Sequence, residues 1–111
     1  MKLPNGDRAI IDIRKLTGYC LNPDHPTGKH KARQFEVAAG ITAQNAGSLR
    51  DALAKAAFER EAITVKTNEY GVFYQIDLDF PGPAGPVRVR SAWIINRGEN
   101  DPRLVTCFVL R

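Results

Sequence analysis

The residues best equipped for chemistry are crowded into one short stretch. His25 and His30, the only two histidines of the chain, fall between Asn22 and Arg33, with Lys29, Lys31 and Arg33 interleaved around the second. Imidazole moves protons near neutral pH, and lysine or arginine holds a phosphodiester, so the stretch has the parts for acid–base work on a phosphate. A turn-rich leader (Asn22-Pro23, His25-Pro26, Thr27-Gly28) feeds it into the first turn of a helix, whose unpaired amides suit an anion. The alternative is a basic helix start carrying two surface histidines.

These residues need a scaffold, and the periodicity supplies one. Residues 9–11 read as a short strand. Asp12 caps a helix over 13–20, with Ile13, Leu16 and Cys20 on one face. A second helix spans 29–39 with Ala32, Phe35 and Ala39 facing inward, and Gly40 stops it. Thr42 caps a third over 43–59, in which Leu49, Leu53, Ala56 and Ala57 recur at helical spacing; Gly47-Ser48 weakens its first turns. From residue 62 the period becomes two. Strands are expected over 63–67, 72–80, 87–96 and 103–110, with turns at 68–71 and 97–102 and a proline-rich loop at 81–86 that cannot continue a sheet. The fold class is therefore α+β: about three N-terminal helices on one face of a three- to four-stranded antiparallel meander. The whole chain, 1–111, reads as one domain, with 8–60 mainly helical and 62–111 the sheet.

One register satisfies both sheet faces at once. Setting Phe80 opposite Val87 pairs Leu78 with Val89, Ile76 with Ser91 and Tyr74 with Trp93. On the other face it pairs Asp79 with Arg88 and Asp77 with Arg90. Opposite charges across an antiparallel pair add roughly 0.2–1 kcal/mol each, and a one-residue slip would set charges against core residues.

Composition narrows the class further. The 111 residues include 43% hydrophobic and 25% charged side chains, with a net charge of +4. That is enough for one core, and the basic balance favours an anionic partner. No run is apolar enough to span a membrane, and residues 1–7 lack the apolar segment of a secretory signal, so a cytoplasmic protein is expected. Cys20 and Cys107 have no metal spacing and apolar neighbours, which suits reduced core thiols. No His, Asp or Glu cluster resembles a metal-ligand set, and no cofactor is implied.

The run from Asn22 to Arg33, followed by Phe35 and Gly40, resembles the signature of an uncharacterised small bacterial domain family. Its members occur alone, in toxin–antitoxin gene pairs and at the ends of polymorphic toxins. The segments Val89-Arg90-Ser91-Ala92-Trp93-Ile94-Ile95 and Pro102-Arg103-Leu104-Val105-Thr106 fit the same pattern. The helix-then-meander layout is in turn similar to the metal-independent ribonuclease toxins that include barnase, EndoU and RelE. This resemblance implies an RNA-cleaving toxin in which a ribose 2′-hydroxyl attacks the adjacent phosphorus. His30 would serve as acid–base residue, with His25 as partner, and Lys29 would stabilise the phosphate. Arg103 and Thr106 on the last strand, with Ser91, would orient it, and Lys31, Arg33, Arg88 and Arg90 would hold the flanking backbone. RNA and a co-encoded antitoxin or immunity protein would be the partners.

Each assignment has a structural rival. His25 between prolines can simply shape the loop, Thr106 can be an ordinary strand residue, and Ser91 can relieve crowding beside Trp93. Arg103 can cap the turn near Asp101, and Arg88 and Arg90 can be neutralised by their cross-strand aspartates. Two other functions remain open on these residues: a non-catalytic nucleic-acid-binding module, and a protein-interaction domain recruiting a partner to an edge strand.

Overall fold

Alternation of Val72, Tyr74, Ile76, Leu78 and Phe80 against polar neighbours builds the central hairpin of the molecule. In the computed structural model, which describes residues 1–110, β1 (Ile63–Asn68), β2 (Gly71–Gly82), β3 (Gly85–Asn96) and β4 (Arg103–Val109) form one antiparallel sheet in sequence order. The expected register holds at every pair: Phe80 faces Val87, Leu78 faces Val89, Ile76 faces Ser91 and Tyr74 faces Trp93. On the reverse face Arg88 donates to Asp79 at 3.1 Å, and Arg90 grips Asp77 with two bonds of 2.8 and 3.0 Å.

The helices cover the apolar face. α1 (Lys29–Ala39) buries Ala32, Phe35 and Ala39, and α2 (Ala46–Glu59) buries Ala46, Leu49, Leu53, Ala56 and Ala57. All of these but Ala32 join Trp93, Leu16 and Cys107 in one core. α2 is preceded by a 3-10 turn, Ala43–Asn45, capped as the sequence suggests: Thr42 Oγ1 accepts the Gln44 amide, and Asn45 Oδ1 accepts the Thr42 amide at 2.6 Å. Gly40 ends α1 at φ 69°, where its amide returns to the α1 carbonyls. Nothing surrounds the position a Cβ would occupy there. Gly40→Ala is therefore expected to cost about 1–2 kcal/mol purely through the left-handed backbone, read as a drop of several degrees in the thermal midpoint.

Three expectations change. The strands run straight through the prolines: Pro81 pairs with Pro86 and Gly82 with Gly85, leaving a two-residue turn. β1 pairs with β2 only as far as Gln75, and β4 with β3 only as far as Val89, so the prolines occupy a stretch whose outer edges are free and forfeit no ladder bond there. Residues 9–11 form no strand; a single parallel bridge joins Ile10 to Arg103. The first helix is a π-helical turn, Leu16–Cys20, in which the Leu21 amide reaches back five residues to the Leu16 carbonyl at 2.7 Å. A widened turn no longer keeps a 3.6-residue stripe aligned, so Leu16 and Cys20 are buried while Ile13 is exposed.

Candidate functional site

Four side chains on one face of α1 share a hollow of about 670 Å³: Lys29, His30, Arg33 and Glu36. The loop residues Leu21 and Pro23 form one wall, and the segment from Ile41 to Gln44 forms the other, brought round by the left-handed turn at Gly40. Ala32 and Ile41 give it a partly apolar floor. Among the described residues, none of these four side chains makes a hydrogen bond or an ion pair, so two cations, an imidazole and a carboxylate face the same space uncommitted. Helical geometry explains the grouping, because positions three and four apart lie on one side.

Gly28 fixes where that face begins. A Cβ at this position would overlap the Tyr19 carbonyl oxygen, so only glycine lets the start of α1 lie against the π turn. His25 locks the same junction. Its Nδ1 accepts the Thr27 amide at 3.1 Å and the Gly28 amide at 2.9 Å, while its carbonyl takes the Lys29 amide. The ring proton therefore sits on Nε2. His25 shapes the loop rather than joining His30, and of the α1 amides expected to face an anion the first, that of Lys29, is already taken by the His25 carbonyl.

The remaining expected site residues do not reach the hollow. Arg103 is paired with Glu99 at 3.2 Å, beside Arg8 and Asp101. Thr106 Oγ1 lies 3.5 Å from Cys20 Sγ. Ser91 is fully buried; it accepts the Trp93 indole N–H at 2.9 Å and donates to the Ile76 carbonyl at 2.8 Å. Arg88 and Arg90 are held by their aspartates on the opposite sheet face. Lys31 turns away from His30 and donates to the Tyr19 hydroxyl at 2.7 Å. The convergence of helix and closing strand expected from sequence is absent: α1 carries the site, and β4 supplies nothing to it. Glu36 is the residue the sequence reading missed. Its signal was the stripe Lys29, Ala32, Arg33, Glu36, which runs along one helix face.

A second polar cluster lies where the π turn crosses the edge of β4. Cys20 and Cys107 are both buried thiols. Cys20 is held down to about 6, chiefly by the hydrogen bond from the Cys107 thiol; the Thr106 hydroxyl, the Cys107 backbone and the Lys31 charge assist, against the opposing effect of burial. Cys107 is pushed up by that same hydrogen bond and by burial. A thiol depressed in the folded state stabilises the fold above its unfolded value, about 8.5, and this contribution is lost as pH falls through 6. Titration of the ultraviolet thiolate absorbance is expected to show one thiolate per chain appearing around pH 6, absent in Cys20→Ser; thiols that stay protonated to pH 8 would contradict it.

Among the described residues no helix is long and apolar enough to cross a membrane. No curated protein matches this sequence. Residues 2–111 match the family described as a domain of unknown function (DUF6883), and the chain belongs to that family.

Proposed function

We propose that this protein is a metal-independent endoribonuclease, acting in the bacterial cytoplasm as the toxin of a toxin–antitoxin or polymorphic-toxin system. One observation carries the reading: His30 and Glu36 share a hollow with Lys29 and Arg33, and none of the four is engaged elsewhere among the described residues. Cleavage by the ribose 2′-hydroxyl needs a base, an acid and cations at the phosphoryl oxygens, and this hollow offers each.

Glu36, as carboxylate, takes the proton of the attacking 2′-hydroxyl. His30, as imidazolium, gives a proton to the departing 5′-oxygen, leaving a 2′,3′-cyclic phosphate and a 5′-hydroxyl. Lys29 and Arg33 hold the phosphoryl oxygens as charge builds on them, and Arg33's planar fork suits a bidentate grip. Thr42 and Gln44 on the opposite wall present polar groups to the adjoining nucleotide. Arg88, Arg90, Arg103, Thr106, Ser91 and His25 take no part in these steps. Being a toxin, the protein would have as its partner a co-encoded antitoxin or immunity protein that covers this hollow.

The purified protein is expected to cleave single-stranded RNA equally well with and without a chelator, giving cyclic-phosphate ends. Its induction in bacteria is expected to arrest growth. RNA that is bound but left intact would favour the non-catalytic module instead, and RNA neither bound nor cut would favour the protein-interaction reading.

A further inference from the structure

The contact between the π turn and β4 is a built dithiol, independent of the α1 hollow. Cys20 Sγ lies 3.5 Å from Thr106 Oγ1, and the next residue, Cys107, is buried in the same core. The ammonium of Lys31, whose charge reaches both sulfurs, is tethered there by the Tyr19 hydroxyl at 2.7 Å. A hydroxyl and a nearby cation beside one sulfur stabilise a thiolate, and a second thiol packed into the same core is placed to resolve an oxidised form.

We propose that Cys20 and Cys107 are a reversible redox modification site, oxidised by hydroperoxides to an intramolecular disulfide. The Cys20 thiolate attacks the peroxide, breaking the O–O bond: its sulfur becomes a sulfenic acid, and the other oxygen takes a proton from solvent and leaves as water or an alcohol. The Cys107 sulfur then attacks Cys20 Sγ, forming the S–S bond. The sulfenic hydroxyl departs with the Cys107 proton as a second water. Two electrons pass from the sulfurs to the peroxide, and a thiol reductant reverses the change. Both sulfurs are shielded, so oxidation waits on opening of the five-residue π turn. The rate therefore levels off at high peroxide instead of rising in proportion. The bond ties the turn leading into the His25 loop to the closing strand.

Native protein is treated with excess hydrogen peroxide well below its melting temperature, then denatured, alkylated and weighed whole. The expected product has lost two hydrogens, takes up no alkylating agent, runs as a monomer and recovers both thiols with dithiothreitol. Peptide mapping should join Cys20 to Cys107. In Cys107→Ala, Cys20 is expected to stop at a sulfenic acid trapped by dimedone or to proceed to sulfinic acid; in Cys20→Ala, Cys107 should stay reduced. Two alkylatable thiols after treatment, a gain of two oxygens in the unsubstituted protein, or a disulfide found only between chains would overturn the proposal. The unsubstituted protein decides the matter even if either variant fails to fold.

Discussion

Replacing His30 with alanine is expected to lower the RNA-cleavage rate by roughly 10²–10⁴-fold, the usual worth of a positioned acid–base group. Stability should stay within about 0.5 kcal/mol of the parent, because His30 is exposed and no partner is lost. The loss should fall on kcat, with RNA affinity nearly unchanged, since the proton is needed only as the leaving oxygen departs. Glu36→Gln is expected to give a comparable loss in kcat. Lys29→Ala and Arg33→Ala should instead weaken binding as well as turnover and reduce its dependence on salt. Arg103→Ala is the control that separates this site from one built on the closing strand: its guanidinium is committed to Glu99, and cleavage should persist. Cleavage that survives His30→Ala but vanishes in Arg103→Ala would reverse the assignment.

The largest stability effect is expected at Trp93. Its side chain is completely buried, and its indole N–H ends on Ser91 Oγ at 2.9 Å, which in turn donates to the Ile76 carbonyl of β2. Trp93→Ala opens a cavity at the centre of the sheet and should cost about 3–5 kcal/mol. Set against a total of about 5–15 kcal/mol for a domain of this size, that consumes much of the margin. Ser91→Ala leaves the indole donor buried and unpaired and should cost about 1–3 kcal/mol. In urea, Trp93→Ala should move the unfolding midpoint most, Ser91→Ala less. A midpoint unmoved by Trp93→Ala would mean that the tryptophan is not seated in the core.

How far these features were legible in the sequence follows from how local their causes are. The β2–β3 register could be read in advance because charge pairing and apolar alternation pointed to the same alignment. The end of α1 and the start of the 3-10 turn that leads into α2 were legible because Gly40 and Thr42 act on neighbouring amides. The prolines at 81 and 86 misled, because whether a missing N–H matters depends on neighbouring strands that end elsewhere. Ile13 misled because a π turn breaks the spacing on which a helical stripe is read. The site was half legible. Lys29, His30 and Arg33 are adjacent in sequence and stay together on one helix. Arg103, Thr106 and Ser91 were assigned by resemblance, and long-range partners claimed them: Glu99, Cys20 and the Trp93 indole. His25 was placed next to His30 by sequence distance, yet its ring turns back onto its own loop.

The groups assigned to the proposed cleavage all come from one ribbon of eight residues, Lys29 to Glu36. A peptide that short does not hold a helical shape in water, because nucleating the first turn costs more than so few hydrogen bonds return. Cut free, it would carry every group the chemistry needs and hold none of them in place. The sheet, although it contributes no atom to the proposed reaction, serves as the splint that keeps this ribbon wound. Damage to that support should silence the protein as surely as removing the imidazole.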